Sequence, residues 1–349
     1  MKDPKSNPFS VDFGREPKEL IPRSKMMSEL IDAFTAEEPS SHVSLSTGVR
    51  GSGKTVFMTT VKNRLQEERD WVVIELNPTR DLLEGLVAKL NEEKKLKNIF
   101  NAAKLNLSAF GFGAQIEGAE PIRDIEVALS RMLKSMQKHG KKTLVTIDEV
   151  SNTPQMRVFA SAFQILLREN LPIFLIMTGL FENIRALQDE KNLTFLYRAP
   201  RIVLEPLNIG RMTESYARVF EIEQEEALKM ARETKGYSFA FQVLGFFSWK
   251  YWGDKQRIHE EYKQYLEEYV YEKIWQELSR EDRKVLYGIA CTPGGEVKNI
   301  REKLHMTSNQ FTPYRTRLIR KGIISGEVYG VVKFELPLFD QFVLENGDL

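Results

Sequence analysis

An apolar run, HVSLST (42–47), passes directly into GVRGSGKT (48–55), which is followed by a segment with apolar residues at helical spacing. No other feature constrains the fold as much. Gly48-Val49-Arg50-Gly51-Ser52-Gly53-Lys54-Thr55 satisfies G-x-x-x-x-G-K-[ST], and a strand leading in with a helix leading out is the context that motif requires. The glycines let the backbone turn N–H groups inward around a phosphate, and the helix N-terminus adds the positive end of its dipole. Gly48 through Val56 are therefore the expected phosphate contacts. Lys54 would neutralise the β/γ oxygens of a nucleotide triphosphate such as ATP, and the Thr55 hydroxyl would ligate Mg²⁺.

Around this loop, short β-rich runs alternate with helical patterns. Strands are expected at 42–47, 71–77, 143–148, 173–178 and 201–205, and helices at 54–67, 80–98, 122–138 and 156–169. Three of the strands are near-continuous apolar runs, the signature of strands covered on both faces of a parallel sheet. The fold class that follows is α/β, a three-layer P-loop NTPase core over residues 1–205 with a parallel sheet. The segment 105–118 interrupts this alternation with glycines and reads as a hairpin or mobile insertion.

A phosphate loop needs an acidic partner from the end of another buried strand. KKTLVTIDE (141–149) supplies it: Asp148 falls at the C-terminal end of an apolar strand, where ligands of open α/β sheets gather. Asp148 would hold Mg²⁺, directly or through water. Glu149, one residue further, would orient and deprotonate an attacking water.

Beyond Pro206 the strand signals stop. Helical patterns at 210–220, 224–234, 239–251 and 255–278 make residues 206–278 an all-helical region that ends in a connector. In the last of them Ile258, Tyr262, Tyr265, Leu266, Tyr269, Val270, Ile274 and Leu278 form one apolar face, read as packed core. Residues 279–349 open on a capping pattern, Ser279 to Asp282. Three helices and two β-like runs joined at Tyr329-Gly330 follow, the order of a winged helix-turn-helix. Pro313 requires the third helix to start between Asn309 and Thr312, so that the ring sits in its first turn.

Composition narrows the function classes. At 349 residues, two or three domains are expected. Lys+Arg of 50 against Asp+Glu of 49 leaves no global attraction to a polyanion, so any nucleic-acid site must be a local patch. A single cysteine, Cys291, and four scattered histidines exclude a disulfide framework and a zinc cluster. The N-terminal residues carry no apolar run, and the longest apolar stretch, 171–181, is about half a membrane span. A cytoplasmic protein without membrane contact is expected.

With these motifs in place, the chain resembles AAA+-type P-loop ATPases, in particular the branch of origin-recognition initiators and archaeal-type, STAND-like ATPases with a C-terminal winged helix. The resemblance implies further roles. Pro17 to Arg23, followed by Met27 to Leu30, is similar to the box that holds adenine, with Ile21 and Arg23 as contacts; Pro22 stands where the box has glycine. Thr178 falls at the sensor position that places the lytic water. Arg198, with Arg201 second, falls where the family carries an arginine finger for a neighbouring subunit. Glu233 to Gly245 resembles the lid segment, with Ser238 in place of its proline and no arginine opening the next helix.

Three uses of ATP remain open on sequence. In the first, nucleotide state controls how the winged helix sits on double-stranded DNA. That reading rests on Arg315, Arg317, Arg320 and Lys321, in a domain with 11 Lys+Arg against 9 Asp+Glu from Leu278 onward. In the second, the chain is a nucleotide-gated switch acting on a protein partner or second copy without nucleic acid. The third, a small-molecule kinase, lacks an acceptor pocket with its own base. The core activity expected is Mg²⁺-dependent hydrolysis of ATP to ADP, slow until a partner or second subunit completes the site.

Overall fold

The computed structural model describes residues 6–12, 16–111 and 120–347. They fall into two compact units. One comprises Ser24–Thr47 and Lys54–Val203; the other comprises the described residues of Met1–Arg23, Gly48–Gly53 and Leu204–Leu349.

The first unit is the α/β core. Its elements run α1 (Ser24–Thr35), β1 (Val43–Thr47), α2 (Lys54–Gln66), β2 (Trp71–Leu76), α3 (Leu82–Glu92), α4 (Lys97–Ala102), α5 (Ile125–Lys138), β3 (Lys142–Ile147), α6 (Pro154–Arg168), β4 (Ile173–Gly179), α7 (Phe181–Gln188), α8 (Thr194–Arg198) and β5 (Arg201–Val203). The five strands form one parallel sheet in the order β2-β3-β4-β1-β5. All seven residues of β4 are buried. Successive strand residues point to opposite faces, so helices cover both sides, as the apolar runs predicted.

Alternation sorts the two faces. Leu45, Val145, Ile147, Leu175 and Met177 join the main core with α3, α5 and α6. On the opposite face Phe174 packs against Phe34 of α1 and Trp71, and His42 stacks on Phe174 at 4.7 Å. Ser46 and Thr178 are register partners on this second parity. Helix starts follow local chemistry: Asp81, Asp124 and Thr153 cap α3, α5 and α6 through their side chains, and Pro154 fills the first turn of α6.

The expected helix at 80–98 divides at Glu93, and α7 and α8 lie in a stretch that the helical pattern did not mark. Of the segment 105–118, residues 105–111 contain a single 3₁₀ turn, Ser108–Phe110, ended by left-handed Gly111; residues 112–118 lie outside the described residues.

The second unit runs α9 (Ile209–Phe220), α10 (Gln224–Glu233), α11 (Ser238–Lys250), α12 (Lys255–Leu266), α13 (Glu272–Gln276), α14 (Arg280–Ala290), α15 (Val297–Lys303), α16 (Ser308–Arg320), β6 (Ile324–Ser325), β7 (Lys333–Phe334) and α17 (Phe339–Asn346). The N-terminal arm is tied to the lid helices. Phe9 lies so close to Gly245 that a Cβ there would meet its ring at 2.4 Å. Gln242 donates to the Glu19 carbonyl at 2.7 Å, and the Glu19 carboxylate accepts from Ser215 at 2.7 Å and pairs with Arg218.

A single apolar core runs from Tyr237 on the lid through the connector to Val343 in the winged helix. The connector is not one α-helix: a π-turn over Glu267–Tyr271 separates α12 from α13. The inserted residue rotates the helix face, so Tyr271 becomes fully buried and donates to the Pro337 carbonyl, whereas Tyr269 is left 56% exposed. This corrects the uninterrupted stripe read from helical spacing.

In the winged helix, Ser279 and Asp282 form the expected capping box of α14. The start of α16 differs from expectation. A second capping box, Thr307 with Gln310, begins the helix at Ser308, which places Pro313 in its second turn. The two-residue strands β6 and β7 pair antiparallel, and the wing tip exposes Tyr329 fully. Among the described residues no helix is long and apolar enough to cross a membrane.

Candidate functional site

In the core unit, four residues converge at the ends of β3 and β4. Asp148 follows the last residue of β3, and the register Ile147↔Met177 sets it beside Thr178. One carboxylate oxygen, Oδ1, accepts from the Thr178 hydroxyl and from the Glu149 amide (2.9 Å). The other, Oδ2, accepts from the Thr55 hydroxyl at 2.6 Å. Thr55 is the second residue of α2, so the start of that helix is locked to the acidic strand end. Thr178 is fully buried. Three donors on one carboxylate hold it in a fixed orientation.

Glu149 has φ of 52°, in the left-handed region that a residue with a long side chain rarely occupies. The next amide, Val150 N–H, donates to the Thr178 carbonyl at 2.9 Å. A Cβ on Gly179 would meet the Val150 carbonyl oxygen at 3.1 Å, so the chain after Glu149 is pressed onto the end of β4. Backbone strain of this kind collects where a side chain must be aimed.

Gly48–Gly53 belongs to the second unit. Gly51 and Gly53 have φ of +78° and +90°, and the Ser52 amide closes a turn onto the Val49 carbonyl at 3.1 Å. Three successive carbonyls accept from outside the loop: Arg50 from the Tyr237 hydroxyl (2.5 Å), Gly51 from the Phe239 amide (3.1 Å) and Ser52 from Arg23 Nη2 (3.1 Å). Arg23 also donates to the Glu205 carbonyl at 2.5 Å; burial pulls its pKa down, and Glu205 partly offsets that. Burial also pushes the Tyr237 phenol upward, so it stays a neutral donor. The Ser52 hydroxyl is buried with no hydrogen-bond partner among the described residues, and a Cβ on Gly48 would meet it at 2.4 Å. Arg50 pairs with Glu277 at 2.6 Å, and Val49 lies beside Gly322.

Thr55, Asp148, Thr178 and Glu149, singled out on sequence, are thus neighbours. Ile21 is 7% exposed and sits in the core with Met212, Tyr216 and Phe241, and Arg23 grips main-chain carbonyls. Arg198 is exposed at the end of α8, and Arg201 lies over the Phe181 ring at 5.6 Å. In α16, Arg317 forms two hydrogen bonds to the buried Asp282, at 3.0 and 2.6 Å, and lies over Tyr314. Arg315 packs on the root of the wing, where a Cβ on Gly326 would meet its guanidinium at 2.4 Å. Arg320 is exposed and Lys321 half-buried. Tyr237, Phe239 and Glu277 escaped sequence reasoning; no local pattern marks a hydroxyl that reaches a carbonyl 187 positions earlier.

Comparison with known proteins bears on the fold. A family model described as a domain of unknown function (DUF8462) matches residues 268–343. No curated protein matches the chain. Among solved structures, the chain is similar to the Walker-type ATPase of Pyrococcus abyssi, with 15% identity and a TM-score of 0.67 over 97% of this chain and 99% of the other. A Cdc6 protein from Pyrobaculum aerophilum matches at 12% identity and TM-score 0.47 over 97% of each chain. The Orc1 protein of Aeropyrum pernix, solved in complex with DNA, matches at 15% identity and TM-score 0.43 over 96% of this chain and 94% of the other. The first of these likenesses establishes that the chain shares the fold of a Walker-type ATPase over nearly its full length.

Proposed function

We propose that this chain binds ATP with Mg²⁺ and hydrolyses it to ADP and phosphate, and that nucleotide state governs the lid and winged helix. The observation that carries this reading is the acidic strand end. Asp148 is tied to the Thr55 hydroxyl at the start of α2, with Glu149 directly after it in a strained backbone conformation. Thr55 belongs to the Gly-rich motif itself, so one hydrogen bond links the two sequence features.

An oxygen-only donor set of one hydroxyl and one carboxylate fits a hard divalent cation that keeps several waters, and Thr55 and Asp148 would hold it. When bound, Mg²⁺ supplies charge neutralisation on the phosphates. This chain's residues do the rest. The backbone amides of Gly51 and Gly53 and the Lys54 ammonium bind phosphate oxygens. Thr178 keeps Asp148 in place and lies where it can orient water. Glu149 accepts the proton of the attacking water as its oxygen bonds to the γ-phosphorus, and the bond to the β-phosphate oxygen breaks to release ADP. Arg198 or Arg201 of a second copy would add positive charge to the transition state, so hydrolysis by one copy alone is slow.

The experiment is a comparison of Glu149→Gln with wild type. ATP binding should persist while turnover falls by about 10²- to 10⁴-fold; undiminished turnover in the variant would remove Glu149 from the mechanism.

A second reading concerns the target. Of the basic positions on and after α16, Arg317 is bound to Asp282 and Arg315 is packed on the wing. That favours a nucleotide-gated switch acting on a protein partner over a DNA-bound ATPase. Duplex binding measured against salt separates the two: a steep salt dependence that weakens in Arg320→Ala/Lys321→Ala restores the DNA reading.

A further inference from the structure

The second unit explains why the phosphate loop has its shape. Carbonyl and N–H of a trans peptide point in opposite directions. Anchoring the Arg50 and Ser52 carbonyls on Tyr237 and Arg23 therefore aims the N–H groups of Gly51 and Gly53 the opposite way. The Gly51 carbonyl, between them, is anchored on the backbone of Phe239. Both glycines have left-handed backbone and lie against this same segment. A Cβ on Gly51 would lie 2.0 Å from the Tyr237 hydroxyl, and one on Gly53 would lie 3.2 Å from the Ser238 hydroxyl. Tyr237 is 5% exposed, and its neighbour Gly236, at φ of +76°, lies so near the Leu207 carbonyl that a Cβ would meet it at 2.8 Å. The tyrosine is thus buried beside a backbone position that only glycine fits.

We infer that Tyr237 and Arg23 are positioning residues for phosphate recognition: they touch no nucleotide but hold the carbonyls of the loop outward, so that its amides form the phosphate cradle. The inference rests on the ATP-binding reading above and deepens it. It also reassigns Arg23, which the resemblance placed on adenine, to the shape of the loop. The segment that carries Tyr237 thereby sets the affinity for the phosphate groups of a nucleotide and leaves the base and sugar untouched.

The test compares ADP and adenosine, which differ only in the phosphates, by titration on wild type, Tyr237→Phe, Arg23→Gln, Arg23→Lys and Lys54→Ala. Tyr237→Phe keeps the ring and its packing while removing the donor. The expected result is a loss of about 5- to 10-fold in ADP affinity for Tyr237→Phe, from one hydrogen bond to a part-buried carbonyl. Adenosine affinity should stay unchanged. Arg23→Gln should behave the same way, with recovery in Arg23→Lys, which keeps a cationic donor. Should Tyr237→Phe fail to fold, the Arg23 pair reads the neighbouring carbonyl and still decides the matter. ADP affinity equal to wild type in Tyr237→Phe and Arg23→Gln, with Lys54→Ala impaired, overturns the inference and leaves the ATP-binding reading standing. Parallel loss of ADP and adenosine also overturns it, because it would place these residues on the base or in the fold at large. Wild type that binds no ADP overturns both.

Discussion

The acidic strand end and the phosphate loop are both rigid, but they are made rigid by opposite means. At the strand end it is a side chain that is held: the Thr55 and Thr178 hydroxyls and the Glu149 backbone amide all donate to the Asp148 carboxylate. At the loop, distant residues hold the backbone: Tyr237, Phe239 and Arg23 each take one carbonyl. The first arrangement follows from sheet register and belongs to the core. The second follows from the packing of arm and lid. One device therefore lies wholly within the core unit and the other wholly within the second unit.

Substitutions can break that contrast, starting with the largest effect. Gly51→Ala combines a left-handed φ with a Cβ 2.0 Å from the Tyr237 hydroxyl. The strain of roughly 1–2 kcal/mol and the overlap of roughly 1–3 kcal/mol should cost about 100-fold in ATP affinity by titration calorimetry. Combining it with Tyr237→Phe should recover part of the loss, because the nearest atom in conflict is then gone while the ring carbon at 2.8 Å remains; no recovery would separate the loop from the lid.

Thr178→Val tests the other side. It leaves the Asp148 carboxylate short of a donor, and about 1–3 kcal/mol of stability should disappear in chemical denaturation. Nucleotide affinity without Mg²⁺ should hardly move. Equal loss of both would show that the strand end and the loop are not separate devices.

Glu277→Gln is expected to be gentler. Its partner Arg50 lies in the loop, but both side chains are about one-third exposed, so the pair contributes roughly 0.2–1 kcal/mol. ATP affinity should weaken by about fivefold at most, with the difference fading as salt rises. A large, salt-independent loss would mean that the connector controls the loop more directly than the lid does.

The smallest effect concerns the core alone. Burial lowers the pKa of His42, stacked on Phe174, so the unfolded chain takes up a proton before the folded one does. Stability should therefore fall as pH drops below about 6.5, the ordinary histidine value, and continue falling until the folded-state pKa is passed. His42→Phe should flatten that part of the stability–pH curve and leave ATP binding unchanged.

How much of this was legible in the sequence follows the same division. The strands read from HVSLST and TLVTID are present within a residue or two, because an apolar run covered on both faces has few alternatives. Asp148 was legible because it stands at the end of such a run, whereas Thr178 was picked out only through the family resemblance. The loop was legible as a motif, but its supports were not. Tyr237 looks like one more aromatic in an apolar lid, and only tertiary packing brings its hydroxyl to Arg50. The π-turn at Glu267–Tyr271 was hidden for a related reason: one inserted residue shifts the buried face without changing the local pattern. Pro313 misled because the missing N–H argued for a first-turn position, whereas the Thr307–Gln310 capping box decided where α16 begins. Arg317 read as a candidate DNA contact because its partner, Asp282, lies on another helix and is buried.

The central claim is that the loop and the acidic strand end act on one Mg²⁺-bound ATP. The most direct measurement is the equilibrium affinity for ATP as a function of Mg²⁺ concentration in wild type, Lys54→Ala and Asp148→Asn. In wild type, ATP should bind and tighten as Mg²⁺ rises. Asp148→Asn should keep Mg²⁺-free binding but lose most of the tightening. Lys54→Ala should weaken binding by about 10- to 100-fold at every Mg²⁺ concentration, the loss expected for a charged hydrogen bond. Identical Mg²⁺ dependence in wild type and Asp148→Asn, or unchanged ATP affinity in Lys54→Ala, would contradict the account.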